Sequence, residues 1–173
     1  MRFLLAAALI CPTGLFAAGG GDETAPPKPT KGCTSGEIYD DKTGTCKNAF
    51  NDHLDADEVY QGVRQLAYAG RYHDAQMLLA ALPENDDRRL TYMGFTHRKL
   101  GNTGLADVFY SRAIARNPGN ILARSYMGQG MVEAGDVAGA MGQLRAIRAQ
   151  GGTGTWAETS LRNAIATGTT YSY

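Results

Sequence analysis

Nucleophilic catalysis needs a base held beside a serine, cysteine or threonine, and the three histidines of this chain do not supply one. His53 stands near the junction of an expected hairpin and His73 near a helical turn. His97 falls on a packing position, where a buried, hydrogen-bonded ring is expected. Metal binding lacks its spacing as well: there is no HExxH and no pair of histidines at helical spacing. No catalytic residue, metal ligand or cofactor is therefore assigned. Gly128-Gln129-Gly130 has neither the preceding strand nor the third glycine of a dinucleotide loop. Asp55, Asp57 and Glu58 cluster where a helix begins, and there they favour the positive end of its dipole.

The cysteines carry a structural chemistry instead. Cys33 and Cys46 bracket TSGEIYDDKTGT, in which Glu37 to Tyr39 reads as extended and Asp40 to Gly44 is dense in turn formers. Residues 33–48 are expected to form a small hairpin closed by a Cys33–Cys46 disulfide. In the chain-entropy model, closing such a loop stabilises by about 3 kcal/mol. Two strands alone are marginal in water, so the module needs that link.

Such a bridge wants an oxidising compartment, and the first residues agree. Residues 1–19 hold one charge, Arg2, then an apolar run from Phe3 to Ile10 and a small-plus-apolar stretch from Gly14 to Ala18, the layout of a secretory leader cut between about Ala17 and Gly21. Pro12 and Gly14 break the run short of a membrane span. Cys11 offers a lipid-anchored alternative, against which stands the bulky Ile10 before it. The chain is expected to be exported, to the periplasm in the first reading. Residues 20–32, with GGGDETAPPKPTK from Gly19 to Lys31, read as a disordered or polyproline-like tether. The 17 basic and 17 acidic side chains cancel, which argues against nucleic acid as a generic partner.

From about Leu54 the apolar spacing becomes helical, and residues 54–168 form one domain, leaving 169–173 as a tail. Within it a turn glycine recurs at Gly70, Gly101 and Gly135, each followed five residues later by Ala75, Ala106 or Ala140 and nine later by Leu79, Tyr110 or Leu144. Spacings of 31 and 34 residues fit a unit of two short helices. The pairs are read as 56–69 with 72–82, 87–100 with 103–116, and 121–134 with 137–149. Asn120 and Asp136 act as caps in the third. A last helix, opened by a Thr155/Glu158 capping box, runs to about Thr167, with Trp156, Leu161 and Ile165 covering the open end of the third pair. Gly128, Gly130, Gly139 and Gly142 all lie in that third pair, which is expected to open most readily.

In these units the chain resembles the tetratricopeptide repeat family. The second carries Gly94, His97, Gly101, Ala106, Tyr110, Ala113 and Pro118 at the signature spacings, the third Gly128, Gly135, Ala140, Leu144 and Ile147, and the first Leu66, Gly70, Ala75, Leu79 and Leu82. Departures are Val63 where a small residue is usual, a short second helix in the first unit, and His97 in place of an aromatic. The resemblance implies an all-α, right-handed solenoid of about three helix pairs plus a capping helix, preceded here by the small hairpin.

It further implies a scaffold that binds a peptide or protein segment in a concave groove lined by the first helix of each pair. The matching positions are Asp57, Tyr60, Arg64, Ala67 and Tyr68, then Arg88, Thr91, Phe95, Arg98 and Lys99, then Leu122, Ser125, Gln129, Val132 and Glu133. Tyr60, Arg64, Tyr68, Arg88, Phe95, Arg98, Lys99 and Gln129 are carried forward as the ligand groove. Guanidinium groups beside aromatic faces suit an acidic or acidic-aromatic segment. The lysine-plus-asparagine clamp for a terminal carboxylate is absent, since Tyr60 and Arg64 take those positions. The alternative is an accessory of the cell envelope whose hairpin contacts an envelope component.

Overall fold

The computed structural model describes residues 24–27, 32–34, 37–40, 42–48 and 54–170. The leader, Cys11, His53 and residues 171–173 of the tail lie outside the described residues. Strands β1 (Glu37–Asp40) and β2 (Thr45–Asn48) precede helices α1 (Ala56–Tyr68), α2 (Tyr72–Leu79), α3 (Asp87–Lys99), α4 (Thr103–Arg116), α5 (Ile121–Glu133), α6 (Val137–Ala149) and α7 (Trp156–Thr167). Consecutive helices pack as α1 on α2, α3 on α4 and α5 on α6, while α1, α3, α5 and α7 pack in succession along one face.

The same turn closes each pair. Gly70, Gly101 and Gly135 have φ of +73°, +83° and +79°, a left-handed conformation that costs a residue with a Cβ roughly 1–2 kcal/mol. Each donates its N–H to the carbonyl three residues back, on Ala67, Arg98 and Val132, and the next residue donates five back, to Leu66, His97 and Met131. These are the bonds of a Schellman stop, which satisfy carbonyls left over at a helix end. Arg71, Asn102 and Asp136 then share φ near −85° and ψ of 60°, 61° and 71°, so the next helix leaves each turn in one direction. Ala75, Ala106 and Ala140 are wholly buried where the two helices meet.

Other helix ends follow their side chains. Asp55 and Glu58 form a complete capping box on α1. Asp86, Asn120 and Asp136 accept backbone N–H bonds at the starts of α3, α5 and α6. At α7 the expected capping box is only half made. Thr155 accepts from the Glu158 N–H, but the Glu158 carboxylate turns to Arg148, at 2.7 and 3.1 Å, and to Arg162 at 3.6 Å. Helix α2 stops at Leu79 rather than Leu82 because the chain tightens: Ala80, Ala81 and Leu82 donate three residues back.

One large core runs from Ile38 and α1 through α2, α3 and α4 to Tyr126, and a second joins Val132, Ala140, Leu144 and Ile147 to Leu161 and Ala164 of α7. Full burial of a leucine such as Leu161 contributes about 1.5–3 kcal/mol. Gly94 is required by contact: a Cβ there would stand 2.6 Å from the Tyr110 ring.

The hairpin pairs β1 and β2 antiparallel, Tyr39 opposite Cys46, and the Cys33–Cys46 disulfide closes it. It is seated on α1. Gln65 accepts from the Tyr39 N–H at 3.2 Å and donates to the Tyr39 carbonyl at 3.1 Å, and Ile38 presses on Gly62, where a Cβ would lie 2.2 Å from its Cγ2. The small residue absent at Val63 is thus supplied one position earlier, toward the hairpin.

Candidate functional site

The flank along which α1, α3, α5 and α7 pack in succession bears the aromatic and basic side chains carried forward above, and most of them are covered. Tyr60 meets Tyr92 edge to face at 5.7 Å, Tyr92 meets Phe95 at 5.9 Å, and Phe95 lies 4.7 Å from Tyr126. Trp156, expected at the end of the third pair, sits on this file of rings instead, 6.2 Å from Tyr126 and 6.4 Å from Tyr68. Leu161 and Ile165 do cover the third pair. The Tyr68 and Tyr126 hydroxyls are hydrogen-bonded at 2.6 Å.

Phe95 and Gln129 are closed off from solvent. Gln129 donates to Ser125 and Ser160 at 3.3 and 3.4 Å, which ties α5 to α7. A ligand can reach Gln129 only by displacing α7. Burial of this kind is not legible in residue type, because serine and glutamine suit a groove as well as a hydrogen-bonded contact between helices.

The cations differ among themselves. Arg64 is 7 % exposed; its guanidinium lies 5.8 Å from the Tyr60 ring, donates to Gln61 Oε1 at 2.9 Å and to the Ala25 carbonyl, and its Nε has no partner. Arg98 is 5 % exposed, bonded to Glu133 at 2.6 Å, with Nε and Nη2 unpartnered beside the buried Tyr110 hydroxyl. Burial pushes the Tyr110 hydroxyl up to about 12. Lys99 stands 5.8 Å over Phe95, and burial followed by the charge of Arg98 lowers its pKa. Arg88, like Lys99, is only half-buried. It stacks 5.1 Å over Tyr60 and pairs with Asp86 at 2.9 Å and with the exposed Asp57 at 2.6 Å.

Arg88 and Arg98 therefore already face carboxylates, and an acidic segment would have to replace Asp57 or Glu133. Next to Arg88 a cavity of about 270 Å³ opens between Thr24, Tyr60, Thr91, Asn120 and Leu122. Thr24 is a surprise there. Residues 24–27, which composition assigns to the tether, lie half-buried on this face. The Thr24 hydroxyl accepts from the Ala157 N–H at 3.1 Å, and the Ala25 carbonyl accepts from Arg64. A second cavity of about 320 Å³ separates the hairpin from α1, lined by Asp40, Lys47, Asp55 and Glu58 among others.

His97 is half-buried and stacked flat on Phe109 at 5.5 Å; its Nδ1 has no hydrogen-bond partner, contrary to the expected bonded ring, and burial lowers its pKa. His73 is exposed on α2. Among the described residues no group of His, Cys, Asp or Glu could hold a metal ion, and no helix is long and apolar enough to cross a membrane. The disulfide points to an oxidising, non-cytoplasmic compartment. No protein-family model and no curated protein sequence matches the chain.

Proposed function

We propose that the protein is a non-catalytic binding module of the tetratricopeptide-like solenoid type, exported to the periplasm, which takes a peptide or protein segment on the face of α1, α3, α5 and α7. The observation that carries this reading is the threefold turn: Gly70, Gly101 and Gly135 share φ, hydrogen bonds and exit direction. Units repeated so closely stack in one sense and leave their first helices on a common flank. On that flank the half-buried Arg88, stacked on the buried Tyr60, and the cavity beside them form the seat. Because Arg88 is paired with the exposed Asp57, an acidic group on the ligand exchanges with Asp57 rather than meeting a bare charge.

A photo-crosslinking side chain at Asn117, on the cavity rim, tests this in intact cells against one at Val108, exposed on α4. Adducts from position 117 that fall when Arg88 is changed to Glu are expected. Adducts equal at the two positions, or none at 117, would remove the groove. A second reading, an envelope accessory that is lipid-anchored or wall-bound, rests on the cavity between hairpin and α1. It requires the protein to sediment with the envelope and to be released when that cavity is altered by Lys47→Glu.

A further inference from the structure

We propose that residues 24–27, Thr-Ala-Pro-Pro, are the resident occupant of the binding face, a strap that an incoming segment must displace. The inference rests on the peptide-binding reading and adds its regulation and the chemistry of its ligand.

The strap joins the first helix of the domain to the last. At one end, the Thr24 hydroxyl accepts the N–H of Ala157, the second residue of α7. The first N–H groups of a helix have no partner within it. Thr155 serves the N–H of Glu158, and Thr24 serves the one before, so a side chain 133 residues earlier completes the cap. At the other end the Ala25 carbonyl meets the guanidinium of Arg64. Arg64 is 7 % exposed and its Nε remains without a partner, and a buried donor left unmade is costly. The strap serves Nη2 and leaves Nε unserved, a donor that a displacing ligand can meet.

The composition of the strap suits the place. Pro26 and Pro27 carry no N–H, so this half of the segment can lie half-buried without stranding a backbone donor. Prolines also restrict the free chain to extended forms, which lowers the ordering cost of docking. The cavity of about 270 Å³ beside Thr24, walled by Tyr60, Arg88, Thr91 and Leu122, continues the seat past the strap and is where a longer ligand gains contacts that the strap lacks. The ligand so described is a short segment with a hydroxyl residue, a small residue at a bend offering its carbonyl to Arg64, and prolines after it.

A tethered occupant competes at an effective concentration in the millimolar range, so weakening it must raise the apparent affinity of the same sequence added in trans. The test uses the folded, disulfide-intact chain and a capped synthetic peptide containing Thr-Ala-Pro-Pro, with binding read from Trp156 fluorescence and by calorimetry. Thr24→Val removes the acceptor while leaving the face untouched, and Pro26→Gly with Pro27→Gly loosens the strap without altering Thr24. Both variants are expected to bind the peptide about tenfold more tightly than the parent. Exchange of the Ala157 amide should quicken about tenfold in Thr24→Val and slow again with peptide. Equal affinities in all three chains, no binding to any, or an Ala157 amide indifferent to Thr24→Val would each overturn the strap. Crosslinking from Asn117 is independent of these outcomes: if it captures a partner while the strap fails, the groove stands and its self-occupancy falls.

Discussion

The Tyr68 hydroxyl stands 2.6 Å from the Tyr126 hydroxyl, so the last residue of α1 is bonded to α5 across 58 residues of sequence. Tyr126 is fully buried, and burial holds its hydroxyl well above its ordinary pKa, which keeps it a neutral partner.

Tyr68→Phe removes half of that pair and leaves the Tyr126 hydroxyl poorly satisfied. The expected loss is about 1–2 kcal/mol in urea unfolding, with no change in helix content. A neutral result would show that the two rings, not their hydroxyls, hold α1 against α5.

Two glycine substitutions should move stability in opposite directions. Gly94→Ala drives a methyl against the buried Tyr110 ring, 2.6 Å away, and should cost about 1–3 kcal/mol. At Gly142 of α6 a new Cβ meets only the Arg145 side chain, at 3.9 Å, and Gly142→Ala should stabilise by about 0.5–1 kcal/mol. Hydrogen exchange should find the pair α5 and α6 the first to open in the parent and later to open in Gly142→Ala.

Stability should fall on acidification in two stages. Burial lowers the His97 pKa below 6.5, so the unfolded chain takes up that proton first, and stability declines as pH falls from about 6.5. For Glu133, burial raises the pKa but the charge of Arg98 and the bonds from Thr170 and Arg98 outweigh it. Its contribution is present above the ordinary 4.5 and is lost as pH drops through the lowered folded value. Asp86 behaves alike, its burial outweighed by Arg88. Thermal midpoints from pH 8 to 3 should show a shallow decline and then a steeper one, and Glu133→Gln should blunt the second alone.

Reduction of Cys33–Cys46 frees a loop of sequence separation 13, worth about 3 kcal/mol in the chain-entropy model. The hairpin is fastened to α1 through Gln65 and Ile38, so the loss should reach the helices. The melting midpoint should drop by roughly 6–12 °C. A helical transition unmoved by reductant would make the hairpin an independent unit.

The helices were legible because each is set by neighbours within a few residues. The bounds of α4 and α6 coincide with the sequence reading, and the turns at Gly70, Gly101 and Gly135 are closed by carbonyls three and four positions before each glycine. What escaped depends on distant partners. Trp156 has the period of a capping helix yet reaches Tyr68, and Glu158 has the spacing of a capping box yet finds Arg148. Arg64 and Arg98 are charged by type, but both are buried, with their guanidinium groups beside aromatic rings and bonded to a carbonyl and a carboxylate. Nothing in GGGDETAPPKPTK marks Thr24 as the partner of a helix 133 residues away.

The contact of Trp156 with Tyr68 also bears on how such a chain can evolve. Tandem arrays ordinarily lengthen by duplicating a unit, since each copy needs only its neighbours. Here α7 touches α1, and a further helix pair inserted between them would carry the two rings out of reach of each other.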